Sequence, residues 1–185
     1  AGTGKSTLSM HFAMAAADRG ERTAMFIFDE SLRSLVTRSE GVGFPVRQRI
    51  EQELLEVRSV DPAQLSPGEF IAAIRKAVEA DGASVVVIDS LNGYLNAMPE
   101  EKFVLVQLHE LLAYLGQLGV VTFLISAQQG LIGQMHSTID VSYLADSVVL
   151  LRYFEANGSV HQAVSVLKKR TGAHERTIRE LRIDA

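Results

Sequence analysis

Residues able to bind phosphate are concentrated in the first seven positions of the chain, AGTGKST. Gly4, Lys5 and Ser6 match the second half of the phosphate-loop pattern G-x-x-x-x-G-K-[ST]. In such a loop, glycines let backbone N–H groups turn toward phosphate oxygens, and the following helix directs its positive end at them. The first glycine of the pattern and the strand before it would precede Ala1. We therefore expect the motif to begin outside this chain, which would make the domain N-terminally truncated.

Each residue of this loop has a predicted contact with a nucleotide, ATP, or with its magnesium ion. Lys5 would reach the β- and γ-phosphates, Ser6 would bind Mg²⁺, and Thr7 would lie near the α-phosphate. The alternative interpretation is a glycine-rich turn capped by the Ser6 hydroxyl. The predicted nucleotide-binding residues are Gly2, Thr3, Gly4, Lys5, Ser6 and Thr7.

Asp89 provides a second, independent indication of a nucleotide site. It follows the apolar run Val85–Ile88, as does the acid that holds the magnesium shell in proteins with a phosphate loop. Four apolar residues before an aspartate are a weak signal alone and a stronger one beside such a loop. We predict that Asp89 and Ser6 together hold Mg²⁺.

Two adjacent acids, Asp29 and Glu30, follow another apolar run at 23–28. Phosphoryl transfer requires a group that orients or deprotonates the attacking oxygen, and either carboxylate could do so. In a parallel sheet, ligands bind beyond the carboxyl ends of the strands, where this pair would lie. The alternative is that both acids occupy the first turn of a helix and stabilise its dipole.

Gln128 and Gln129 follow the apolar run at 120–126. A polar side chain at this position, Gln128 in particular, is a candidate sensor of the γ-phosphate. A solvated loop is an equally good interpretation of the same residues.

Alternating strands and helices must position these groups. The patterns predict strands at 23–28, 54–61, 84–89 and 120–126, and helices at 7–18, 29–41, 66–82 and 104–118. Toward the end of the chain, strands at 147–154 and 161–169 flank the hairpin signal Asn157-Gly158, with a further strand within 176–184. We therefore predict one α/β domain over 1–185, with a mainly parallel sheet between helices and an antiparallel C-terminal extension at one edge.

Composition limits the possible classes of protein. With 47% hydrophobic residues in 185, the chain can form a packed core. The net charge of −4 does not suggest general nucleic-acid binding, and residues 127–146 contain no Lys or Arg that could bind a DNA backbone. There is no apolar run of 18 residues, so no membrane helix is predicted. The absence of cysteine fits a cytoplasmic protein.

Three segments of the chain resemble the KaiC family of RecA-like ATPases. They are VVVIDSLNGYLNAMPEE at 85–101, VLLRYFE at 149–155 and LKKRTGAHERTIREL at 167–181. The resemblance is to the second of the family's two tandem domains and to bacterial KaiC-like proteins. It implies a RecA-like core that binds ATP at the subunit interfaces of a hexameric ring, a homo-oligomer with signalling partners.

The resemblance also assigns roles to two cations and to the acid pair. Lys168 and Arg170 match a K-x-R element that reaches the neighbouring subunit's ATP, where cations offset charge developing on the γ-phosphate. Without the resemblance, they would be interpreted as a basic strand end on the surface. Asp29 stands where the family has its catalytic glutamate, so we expect water activation to be slower or shared with Glu30.

Ser142 is the candidate phosphorylation site. The clock proteins of the family phosphorylate a neighbouring Ser-Thr pair, and the matching residues here are Ser142 and Tyr143. The resemblance implies that Ser142 accepts phosphate, whereas the tyrosine does not preserve the two-site cycle. An ordinary loop serine is the alternative.

Three functions remain open from the sequence. The first is a Mg²⁺-dependent ATPase with serine autokinase activity, acting as a circadian-type or signalling switch. The second is a DNA-dependent motor or recombinase on the same core, disfavoured because residues 127–146 contain no Lys or Arg. The third is a nucleotide-gated scaffold with little turnover, which the shorter side chain of Asp29 keeps open.

Overall fold

The computed structural model describes residues 2–61, 64–96, 101–127 and 142–183. These residues form two compact units. The first unit comprises the described residues from 6 to 126. The second combines residues 2–5 with the described residues from 127 to 183.

The first unit contains four parallel strands in the order β2-β1-β3-β4. The strands are β1 Arg22–Ile27, β2 Leu55–Ser59, β3 Ala83–Asp89 and β4 Val121–Ile125. The helices are α1 Lys5–Asp18, which begins two residues earlier than predicted, α2 Leu32–Glu40, α3 Val46–Glu51, α4 Pro67–Glu79, α5 Leu91–Asn96 and α6 Glu101–Gln117. Each of the four predicted strands is present.

Helices cover the sheet on both faces because its central strands are apolar on both sides. Met25 and Ile27 of β1 pack in the core that α1, α2 and α3 complete. Phe26, between them in the sequence, lies on the opposite face against Phe70 of α4, with their ring centroids 5.5 Å apart. This alternation follows from the two-residue period of a strand. A strand buried on both faces is therefore an unbroken apolar run.

Local signals determine where the helices begin. Ser66 caps α4 through a capping box with Glu69, and Pro67 occupies its first turn, as the sequence predicts. The helix predicted from residue 29 begins later, at Leu32, because the Ser31 hydroxyl caps it by accepting from the Ser34 amide. Asp29 and Glu30 therefore precede α2. Their alternative interpretation as acids of its first helical turn is wrong.

Two short helices were not predicted. Helices α3 and α5 each have six residues, too few to display a full helical repeat of apolar positions. The helix predicted at 104–118 corresponds to α6, which begins at Glu101. Among the described helices, none has the length and hydrophobicity required to cross a membrane.

The second unit contains an antiparallel sheet of three strands in the order β5-β6-β7. They are β5 Ser147–Ala156, β6 Ser159–Lys169 and β7 Arg179–Leu181. Asn157 and Gly158 connect β5 and β6 as the predicted hairpin. The α/β fold with an antiparallel C-terminal extension is confirmed. The predicted position of the extension at one edge of the parallel sheet is wrong, because β5, β6 and β7 form a sheet of their own.

Candidate active site

The carboxyl ends of three adjacent strands meet at one edge of the parallel sheet. Ile27 of β1 is in register with Asp89 of β3, which is in register with Ile125 of β4. The backbone amide of Phe28 donates to the Asp89 carbonyl at 2.8 Å, so the chain after β1 continues alongside β3. This edge is where a parallel sheet binds ligands. The structure thus brings together four predicted residues, hereafter the acid cluster: Ser6, Asp29, Glu30 and Asp89.

Asp89 is half-buried at the end of β3, and burial raises the pKa of its carboxyl above the ordinary value. A hydrogen bond from Ser6 opposes this shift, whereas the negative charges of Glu30 and Asp29 add to it. Ser6 lies in the first turn of α1 and is partnered by this acid, so it is not the cap of a glycine turn. The carboxylate is thus held where a cation would stabilise it.

A hydroxyl beside a carboxylate is a donor set that fits Mg²⁺. This ion takes one or two carboxylates from the protein and completes its shell with phosphate oxygens and water. Within the described residues, no group of three His, Cys, Asp or Glu side chains forms a protein-only metal site. Ser6 and Asp89 therefore suit a cation that arrives with a nucleotide.

The Asp29 carboxylate is held by a residue that the sequence patterns did not indicate. The Ser90 hydroxyl donates to Asp29 Oδ2 at 2.6 Å. Ser90 directly follows Asp89, so the strand end that carries one acid also orients another. The sequence offered no signal for this contact beyond the serine's position after the acid.

Glu30 is held by Arg38, a second residue that the sequence analysis missed. Arg38 lies in the last turn of α2, and its Nη2 is 2.6 Å from Glu30 Oε1. Both side chains are partly exposed, so this ion pair adds little to stability. Its positive charge also lowers the pKa of Asp89, against the larger effect of burial. Arg38 is thus a cation that acts on two members of the acid cluster.

Aromatic packing supports the backbone under the acid cluster. Phe28 contacts Phe70 of α4 and Tyr94 of α5, with ring centroids 5.3 and 5.9 Å apart. Phe70 and Tyr94 are themselves 4.7 Å apart. Burial raises the pKa of Tyr94 to about 12, so its phenol remains neutral. The segment that carries Asp29 is therefore anchored to two helices.

In the second unit, the glycine loop adopts a turn suited to phosphate. Gly2 and Gly4 have φ of 81° and 92°, which side chains rarely adopt. Thr3 between them is buried, and Lys5 Nζ donates to its Oγ1 at 3.1 Å. Turns of this kind present successive backbone N–H groups to an anion.

Lys168 and Arg170, hereafter the basic pair, lie at the end of β6 and just beyond it. Lys168 Nζ donates to the Ser142 carbonyl at 2.9 Å, and Arg170 Nη2 donates to the Tyr143 carbonyl at 3.3 Å. Arg170 also pairs with Asp146 at 3.1 Å. The structure thus joins the basic pair to the segment of the candidate phosphorylation site. Gln128, Gln129 and most of their loop lie outside the described residues.

The parallel four-stranded sheet flanked by helices, with a separate antiparallel sheet, is the fold of a RecA-like α/β core. A family model described as the KaiC ATPase matches residues 1–185. The chain belongs to the KaiC family of ATPases. Membership of an ATPase family implies that the domain binds a nucleotide.

Characterised relatives agree with this assignment. The chain is 27% identical to the circadian clock protein KaiC3 of Synechocystis sp. over 184 residues, which cover 99% of this chain and 36% of that protein. It is 28% identical to the circadian clock oscillator protein KaiC of Prochlorococcus marinus, covering 97% of this chain and 36% of the relative. For KaiC of Synechococcus elongatus the identity is 25%, with 98% and 35% covered. The chain thus spans little more than a third of these relatives.

Proposed function

We propose that this domain binds ATP with Mg²⁺ and hydrolyses its γ-phosphate. The observation that carries the proposal is the acid cluster, in which Ser6 hydrogen-bonds with Asp89 while Asp29 is held at the adjacent strand end. A hydroxyl, a metal-binding acid and a second oriented acid are the groups that nucleotide hydrolysis requires.

The residues divide the reaction between binding and proton transfer. The backbone of Gly2 to Gly4 and the Lys5 ammonium hold the phosphates. Ser6 and Asp89 hold Mg²⁺, which neutralises charge on the phosphate oxygens when it is bound. Asp29 accepts a proton from the attacking water, whose oxygen bonds to the γ-phosphorus as the bond to ADP breaks. Glu30 shares this task if its pair with Arg38 opens.

The basic pair acts on the ATP of a neighbouring subunit in a homo-oligomeric, hexameric ring. Arg170 is suited to this because its side chain is 56% exposed and its partner Asp146 is 78% exposed. Contacts of this kind are weak, so Arg170 can leave them for a γ-phosphate at little cost. In the ring, the two cations stabilise the charge of the transition state.

Ser142 is the proposed acceptor in a slower autokinase reaction, in which its hydroxyl replaces water and ADP leaves. Its exposed position and the contact of its carbonyl with Lys168 support this assignment. Phosphorylation would then make the domain a KaiC-like switch that signals to protein partners. A phosphate-sized mass increase after incubation with ATP, absent in Ser142→Ala, is expected in an intact-mass spectrum.

The second candidate function is a nucleotide-gated scaffold with little turnover. The observation that favours it is the hydrogen bonding of Asp29 and Glu30, since both acids are engaged with protein groups. Release of phosphate by the purified protein separates the two functions. A scaffold would bind ATP and release almost none.

The test measures ATP binding and Mg²⁺-dependent phosphate release by the protein and by Lys5→Ala. We expect slow hydrolysis by the protein and loss of binding in the variant, because Lys5 supplies the charge that faces the phosphates. Lys76→Ala, which removes an exposed lysine of α4, is the matched control. Unchanged ATP affinity in Lys5→Ala would contradict the assignment of the loop.

A further inference from the structure

Ser90 connects two elements through a single hydroxyl group. Its Oγ lies 2.6 Å from Asp29 Oδ2 and 3.3 Å from the backbone nitrogen of Gly93, in the first turn of α5. Ser90 itself is only 7% exposed. One buried side chain therefore contacts both the acid after β1 and the helix after β3.

The chemistry of the partners determines the direction of both hydrogen bonds. An ionised carboxylate only accepts, and an amide N–H only donates. The Ser90 proton must therefore point at Asp29, while an oxygen lone pair accepts from Gly93. Both hydrogen bonds form only when the hydroxyl has this one orientation, which leaves the carboxylate with a fixed, charge-assisted donor.

Gly93 allows the acid to approach α5. A Cβ added at this position would lie 2.7 Å from Phe28 Cβ and 3.0 Å from Asp29 Oδ1. The first distance is shorter than real Cβ contacts, and the second is tighter than most of them. Any side chain at residue 93 would therefore displace the segment that carries Asp29. The two oxygens of the carboxylate thus have separate constraints, Ser90 at Oδ2 and the bare Cα of Gly93 at Oδ1.

We propose that Ser90 and Gly93 are positioning residues that hold the Asp29 carboxylate in the orientation required for proton transfer, an inference that rests on the proposed ATPase function. An aspartate has one methylene fewer than a glutamate and a correspondingly shorter reach. Its two oxygens must therefore be directed more closely at the attacking water. A misplacement of about 1 Å can cost about 10²-fold in rate.

A purely structural role makes different predictions. As a cap of α5, Ser90 would contribute to stability, with no specific effect on the chemical step. If Ser90 instead positions Asp29, a substitution of Ser90 lowers the rate only while Asp29 is present. The two roles are separated by comparing each variant in the wild-type chain and in an Asp29→Ala background.

The experiment measures single-turnover ATP hydrolysis, KM and the midpoint of thermal unfolding for Ser90→Ala and Ser90→Thr. We expect Ser90→Ala to lower kcat about 10- to 100-fold and to leave KM within about twofold, because only the proton acceptor is misplaced. Ser90→Thr retains the hydroxyl and is expected to recover most of the rate. In the Asp29→Ala background, Ser90→Ala should cause no further loss.

Gly93→Ala provides an independent variant that retains the Ser90 hydroxyl. We expect it also to lower kcat in the wild-type chain and to have no further effect on kcat with Asp29→Ala. Equal losses in the two backgrounds, or a lower unfolding midpoint with unchanged kcat, would overturn the positioning role and leave the ATPase assignment intact. Absence of ATP hydrolysis by the unmodified protein would instead overturn the proposed function itself.

Discussion

The acid cluster and the basic pair carry opposite charges, and the fold holds them in different ways. Two members of the acid cluster, Asp29 and Asp89, receive hydrogen bonds from side chains anchored at strand and helix ends. The basic pair donates to backbone carbonyls of residues 142 and 143, with Lys168 half-buried and Arg170 exposed. The acids are oriented by packed elements, whereas the cations are held by contacts that water can replace.

This difference suggests that one domain alone orients the acids of its site, whereas the basic pair takes up its working position only in an oligomer. Metal binding and water activation require preorganised groups within about 0.5 Å of their working positions. A cation that reaches a neighbour's phosphate must instead be free to change partners. We therefore predict that substitutions in the acid cluster impair hydrolysis in the chain that carries them. Substitutions in the basic pair should instead impair hydrolysis of the ATP bound by a neighbouring subunit.

The largest effect is expected from Asp29→Asn, which keeps the shape of the side chain and removes its basicity. We expect kcat to fall about 10³-fold, within the usual range for loss of a general base, while ATP affinity changes little. Phosphate release and nucleotide titration measure the two quantities. Glu51→Gln, a neutralised exposed acid of α3, is the matched control. A variant that retains more than a tenth of the rate would transfer the role to Glu30.

A smaller loss, about 10²-fold in kcat, is expected for Arg170→Ala, because Lys168 retains part of the charge at the transition state. The comparison is sharpened by mixing Arg170→Ala subunits with Lys5→Ala subunits, each inactive for a different reason. Recovery of hydrolysis in the mixture indicates that the basic pair is supplied by a neighbour. Arg176→Ala removes a nearby exposed arginine and should be almost silent. If no mixture recovers hydrolysis, the basic pair acts on the ATP bound by its own chain.

The smallest expected effect is on stability. Asp89→Asn removes a proposed Mg²⁺ ligand, yet it should stabilise the fold. Because the folded pKa of Asp89 is raised, the protonated form is favoured by folding, and this stabilisation is lost as the pH rises through the folded pKa. Without nucleotide, Asp89→Asn should therefore unfold at a higher temperature than the unmodified protein at pH 7. The difference should shrink toward pH 4, where the natural carboxyl is increasingly protonated. A lower midpoint at pH 7 would show that the charged acid stabilises the fold.

Residues with strong local signals were predictable from the sequence. The apolar runs predicted the central strands, the Ser66 box predicted the start of α4, and the Asn157-Gly158 pair predicted the hairpin. The placement of Asp29 and Asp89 at one edge followed from the parallel order of the strands. Each of these inferences depends on neighbours in the sequence or on the general geometry of sheets.

Contacts between distant segments were not predictable in the same way. Ser90 and Asp29 are 61 positions apart, and Lys168 and Ser142 are 26 apart, so no local pattern links them. The Glu30–Arg38 pair is closer in sequence, but it depends on α2 beginning at Leu32 and not at Asp29. If the helix began at Asp29, Glu30 and Arg38 would lie eight residues apart within it, about 12 Å along its axis, which exceeds the three- or four-residue spacing of helical ion pairs. The start of one helix therefore determined a contact in the site.

The Glu30–Arg38 contact has a consequence for the charge balance of the site. Asp89 experiences the charges of Asp29, Glu30 and Arg38. In their ionised forms, three carboxylates and one guanidinium leave an excess of two negative charges, which a single divalent ion cancels. Arg38, carried by α2, thus lowers the excess negative charge of these side chains from three to two.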